Sequence, residues 1–111
     1  LNYYKLAFGL AKEMDDKAGM ACIMSNTAGI FRDLGMDKKA LRYYKQAIQY
    51  DLEAGNIAGC AKSYEQAGDI MFGNGQYLKA KSLYNKSMLA AQRIGDRGWT
   101  AKMLQKMNSA A

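Results

Sequence analysis

The chain has 111 residues, half of them hydrophobic and 23% charged, enough for one ordinary domain with a buried core. No apolar run approaches the roughly 18 residues that a membrane span requires. There is no histidine, which removes the commonest general base and metal ligand, and the two cysteines are 38 positions apart without the density of a disulfide scaffold. They are expected to be small buried or half-buried thiols in a reducing compartment, so a cytoplasmic location is expected.

The absence of proline and the abundance of Ala, Met, Leu, Lys and Gln favour helix throughout. The first predicted helix covers about 1–14 and opens LNYYKLA, a phrase that returns as LRYYKQA at 41–47. Laid without a gap over 41–80, residues 1–40 give thirteen identities, among them Tyr3/Tyr43, Tyr4/Tyr44, Ala7/Ala47, Gly19/Gly59 and Ala40/Ala80. Residues 81–111 continue the register more faintly, with Tyr84 under Tyr44 and Gly95 under Gly55. A fixed period of 40 marks units that bury their apolar faces against their neighbours.

Turn signals at Asp15-Asp16, Gly35, Gly55-Asn56, Gly73-Asn74-Gly75 and Gly95-Asp96 divide each period in two. Gly55 and Gly95 suit the left-handed residue that ends a helix, and Asp16, Asn56 and Asp96 suit the N-cap of the next. Five further helices are therefore predicted over 17–34, 38–54, 57–72, 77–94 and 97–108. Apolar residues recur at three and four within them, as in Leu41, Tyr44, Ala47, Ile48 and Leu52. Links this short make consecutive helices antiparallel hairpins. The expected organisation is one domain over 1–111: a half repeat (1–14), repeats at 17–54 and 57–94, and a last helix (97–108). Because the opening phrase begins inside a unit, a longer array is expected.

The residues resemble the tetratricopeptide repeats. One copy of the signature reads Tyr64, Ala67, Gly68, Met71, Gly75, Tyr77, Ala80, Tyr84 and Ser87; the preceding one reads Met24, Thr27, Ala28, Phe31, Gly35, Asp37, Ala40, Tyr44 and Ala47. The small residues allow close approach of helices A and B, and the aromatics fill between them. The closing proline of that family is replaced by Leu52 and Gln92, in keeping with a long-helix variant whose period exceeds the usual, about 34 residues. The resemblance implies an all-α, right-handed superhelical solenoid of antiparallel helix pairs, about six helices here, with A helices lining a concave side that binds a peptide or protein segment.

On that reading the concave positions are Ser25, Asn26, Arg32 and Asp33 on the second helix and Lys62, Glu65, Gln66, Asp69 and Phe72 on the fourth. Lys102, Gln105 and Lys106 follow on the sixth. Some members of the family clamp a C-terminal carboxylate with Lys, Asn and Arg on successive A helices. Lys102 and Lys106 match the third-repeat clamp positions, but Ser25, Gly29 and Gln66 do not match the others.

No catalytic residue, metal site or cofactor is expected, and no small-molecule substrate. Glu13, Asp15 and Asp16 lie at a helix junction, where capping explains them, and FGNGQ at 72–76 lacks the GK[ST] ending of a phosphate loop. The formal net charge of +6 is spread along the chain, and its one cluster, Lys38, Lys39, Arg42 and Lys45, fits a solvated helix face. Nucleic acid is thus disfavoured as a partner. Tyr3, Tyr4, Tyr43, Tyr44 and Tyr84, which repeat with the period, and most methionines are expected mostly in the core, and Trp99 against the preceding B helix. Self-association through exposed repeat ends is a further expectation. The principal expectation is a non-catalytic scaffold; the alternative is a regulatory or sensory segment controlling an effector outside these residues.

Overall fold

The computed structural model describes residues 2–110. Leu1, the expected start of the first helix, lies outside them. Among the described residues there are six helices and no strand: α1 (Asn2–Glu13), α2 (Lys17–Asp33), α3 (Asp37–Ala54), α4 (Ile57–Gly73), α5 (Tyr77–Arg93) and α6 (Arg97–Ser109). Each helix packs on the next, most extensively α2 on α3 and α4 on α5, and the stack measures 42 × 32 × 16 Å. The predicted boundaries agree with these to within a residue at nearly every end; Phe72 and Gly73 close α4, and 74–76 form the helix–helix turn.

The turns explain this regularity. Backbone φ is positive at 15, 35, 55, 75 and 95, once every 20 residues. Glycine supplies four of these left-handed turns; Asp15 (φ 53°) supplies the first, in a conformation that short polar side chains tolerate better than most. At the junctions that begin α2, α4 and α6, the side chains of Asp16, Asn56 and Asp96 accept hydrogen bonds from the backbone N–H of Gly19, Gly59 and Trp99 at 2.9, 3.2 and 2.9 Å. These bonds satisfy donors left orphaned at each helix start.

The second of those junctions differs in charge. Asp51, buried on α3, accepts from Asn56 Nδ2 at 3.1 Å, whereas Ala11 and Ala91 occupy its register elsewhere. One carboxylate is therefore kept near each of these helix N-termini, moved from the cap to α3 in the middle copy. Burial pushes the Asp51 carboxyl above its ordinary value, and the hydrogen bond from Asn56 only partly offsets this.

Between helices, small residues set the spacing. Ala28, Ala40, Ala47 and Ala80 are fully buried, and Tyr44 and Tyr84 fill the space that they leave. At Gly68 the ring of Tyr84 comes very close: a Cβ there would lie 2.7 Å from Cε1 and 2.8 Å from Cδ1 of Tyr84. Phe31 stacks on Tyr43 with centroids 5.3 Å apart. Trp99 packs back onto α5, its indole donating to Ser87 Oγ at 2.8 Å while that hydroxyl donates to the Ala61 carbonyl at 2.7 Å.

Two expectations about burial are corrected. Tyr3 is exposed rather than core: among the described residues no helix covers its side of α1. Cys22 is exposed on α2 and only Cys60 is buried, where burial raises its thiol pKa. Most methionines are in the core as expected: Met20, Met24, Met103 and Met107 are buried and Met71 and Met88 pack against the cluster that holds the last two, while Met14 and Met36, next to turns, are exposed.

Candidate functional site

α4 and α6 flank α5 from opposite sides in the stacking order, and their facing side chains are joined by ions. Lys106 Nζ lies 2.8 Å from Glu65 Oε2 and 2.9 Å from Asp69 Oδ1, and Lys102 Nζ lies 3.1 Å from Glu65 Oε2. The spacing explains the arrangement: 65 and 69 are one turn apart on α4, 102 and 106 one turn apart on α6, so two carboxylates meet two ammoniums. Beneath them the Tyr84 hydroxyl of α5 donates to Asp69 Oδ1 at 2.6 Å, and Lys106 Nζ sits 5.5 Å from the Tyr84 ring centroid. Lys102 lies over the Trp99 ring at 4.8 Å.

The electrostatics follow from this geometry. Burial pulls the Lys106 ammonium toward a lower pKa, but its contacts with Glu65 and Asp69 outweigh that and leave it above the ordinary lysine value. Tyr84 is pushed well above the ordinary phenol value, by burial first and then by its hydrogen bond to Asp69 and the nearby carboxylates. Both groups therefore keep their protons through the neutral range. Glu65 is 6% exposed, and its Oε2 forms ion pairs with both lysines.

Four side chains of this cluster, Asp69, Tyr84, Lys102 and Lys106, also line an open groove of ≈ 520 Å³, together with Phe72, Gln105 and Ser109. Five of these are among the concave positions read from the sequence. Phe72 supplies an apolar edge, held against Tyr77 at 5.2 Å between centroids. Gln105 and Ser109, exposed and one turn apart, supply donors and acceptors along α6. Such a surface combines one aromatic contact with fixed hydrogen-bonding groups and a locally balanced charge, features that can hold an extended chain or a helix.

The remaining sequence-nominated residues separate from this groove. Ser25, Asn26 and Lys62 line a smaller recess of ≈ 150 Å³ between α2 and α4, together with Asp51 and Asn56. Arg32 is half-buried and Asp33 exposed at the end of α2, and both act electrostatically on Tyr44, with Arg32 opposing the upward push of burial on that phenol. Gln66 is half-buried on α4. Glu65, expected on an open wall, is instead covered by the two lysines of α6.

Tyr84 and Ser109 were not among the predicted site residues. Tyr84 occupies a core register, shared with Tyr44, and only its hydroxyl emerges. The signal that could have found it is Asp69, which stands in the register of Gly29 and so faces that hydroxyl in one repeat only. Among the described residues, no three or more Cys, Asp or Glu side chains gather as a metal site. No protein-family model matches the chain, and no curated protein is similar to it at a significant level.

Proposed function

We propose that this chain is a non-catalytic protein-interaction module of the tetratricopeptide kind, which holds a peptide or protein segment in the groove between α4 and α6. The observation that carries the reading is the convergence of Asp69, Phe72, Lys102, Gln105 and Lys106 around one open groove. Each belongs to an A-type helix of the 40-residue register. Rigid helices and a pinned charge cluster support the wall in advance, so that binding would order mainly the partner. The ion pairs also bear on the partner's chemistry. Lys102 and Lys106 are already neutralised by Glu65 and Asp69, so a segment with an apolar anchor and amide groups suits the groove better than an anionic tail.

The test is a peptide-display selection on the immobilised chain, followed by affinity measurements with Phe72→Ala and Gln105→Ala. Both residues are exposed, so the fold should survive. Selected peptides should bind each variant about tenfold or more weakly, the loss of one good interface contact. Peptides that bind all three forms equally would place recognition elsewhere and remove the proposal.

A further inference from the structure

The net charge is spread along the sequence but not over the fold. Helices α1, α3 and α5, the B-type helices of the register, hold ten of the sixteen Lys and Arg and only four of the ten Asp and Glu. They carry the whole net charge of +6, while α2, α4, α6 and the turns balance. The stack therefore has one neutral side and one basic side.

A groove cuts the basic side. α3 and α5 both pack on α4, and between them lies an open cavity of ≈ 380 Å³ floored by Tyr64 and Met71 of α4. Leu41, Ile48 and Leu52 of α3 form one wall, and Leu83 of α5 the other. Lys45 and Lys86, both exposed, stand on the two rims, with Lys86 Nζ 5.9 Å from the Tyr64 ring centroid. No carboxylate lines this groove, and among the described residues neither lysine is ion-paired. Lys102 and Lys106, in the groove between α4 and α6, are in the opposite condition.

Spacing and charge together define an occupant. Leu41, Ile48 and Leu52 are seven and four residues apart, which sets them on one stripe of α3 about 16 Å long. A helix of about three turns, with apolar anchors one and two turns apart, spans that length. Two unneutralised ammoniums on the rims select acid beside those anchors. The apolar walls are recessed, with Leu41, Ile48 and Leu83 half-buried, which suits inserted side chains rather than a flat bilayer. The single ring of the groove, Tyr64, lies under Lys86 and is not free to stack on a base. A second copy supplies no such helix: only α4 has an excess of acid, and Lys102 and Lys106 neutralise it.

We propose that the groove between α3 and α5 docks an acidic amphipathic helix of a partner protein. Its apolar anchors enter between Leu52 and Leu83, and its Glu or Asp side chains meet Lys45 and Lys86. This surface is separate from the groove between α4 and α6.

A library of single helices, displayed on a rigid scaffold and randomised on one face, is the probe. It is selected on the chain carrying Phe72→Ala and Gln105→Ala, so that the other groove does not compete. Recovered helices should carry Glu or Asp beside Leu, Ile, Met or Phe at spacings of four and seven. Titrated into the isotope-labelled chain, they should shift amide signals along 41–52 and around Leu83. Lys45→Glu with Lys86→Glu should weaken binding by about tenfold or more, as should Leu52→Gln, and added salt should weaken it further. All three side chains are exposed, so these variants should keep the thermal midpoint. Four results would overturn the proposal: no helix recovered above background, recovered helices without acid, shifts confined to α6, or affinity unchanged by the charge reversals. Vesicles of equal parts phosphatidylcholine and phosphatidylserine, or oligothymidylate, binding through Lys45 and Lys86 more tightly than any selected helix would equally overturn it. They would assign the basic side to a lipid surface or to nucleic acid.

Discussion

The same substitution, glycine to alanine within a helix, should have opposite effects at two positions of this chain. Inside a helix alanine is favoured over glycine by about 1 kcal/mol. At Gly9, on the exposed side of α1, a new Cβ would have no atom within 4 Å, so Gly9→Ala should gain most of that amount. At Gly68 the Cβ would stand 2.7 Å from the Tyr84 ring, which is fully enclosed and tethered to Asp69 through its hydroxyl at 2.6 Å. Overpacking of this kind costs about 1–3 kcal/mol, which exceeds the propensity gain. Gly68→Ala should therefore lose about 1 kcal/mol net, a fall of about 4 °C in thermal midpoint for a chain of this length. Relief by moving α4 and α5 apart would stretch the Tyr84–Asp69 bond. Urea denaturation followed by circular dichroism measures both variants, and amide exchange along α5 locates the damage. Equal gains at Gly9 and Gly68 would refute the close approach.

The ion cluster, the buried carboxylate and the two thiols give further tests. Lys106→Met should cost about 1–2 kcal/mol, between an exposed pair and a fully buried one, because Lys106 is partly solvated and Lys102 still reaches Glu65. Adding Glu65→Gln should restore part of that loss, and a Lys106→Met protein as stable as the parent in urea would dismiss the cluster as ornament. For Asp51, the raised pKa means that the folded state holds the proton more tightly than the unfolded chain. Its contribution is full below the ordinary value of 3.8 and is lost as pH rises through the folded pKa. Asp51→Asn should accordingly gain on the wild type as pH climbs from acid toward neutral, and a difference that stays flat with pH would contradict the buried charge. Cys22 should react with a thiol reagent in the folded protein, while Cys60 should react only on unfolding; two equally fast thiols would contradict the packing.

Much of the fold was legible because its grammar is local. A left-handed residue followed by an N-cap recurs every 20 residues, and each such pair needs only neighbouring side chains and backbone to stop one helix and start another. Asp15 was readable as a turn even without glycine, since Asp16 beside it supplied the cap. The candidate site was legible at coarser grain. Register placed Asp69, Phe72, Lys102, Gln105 and Lys106 on one side of the stack, but whether a charge there is free or paired depends on a helix 37 residues further on, as for Asp69 and Lys106.

The amino-acid sequence by itself determined six helices, their ends, and the 40-residue register that sets small residues against aromatic ones, because capping, turn geometry and apolar period act over a few residues. Tertiary structure decided which polar side chains were spent internally. Glu65 went under two lysines, the Tyr84 hydroxyl turned to Asp69, and Tyr3 was left in solvent while Tyr43 found Phe31. Those outcomes depend on how closely neighbouring helices approach, which is set by residues such as Gly68 that bear no charge and lie against a neighbouring ring.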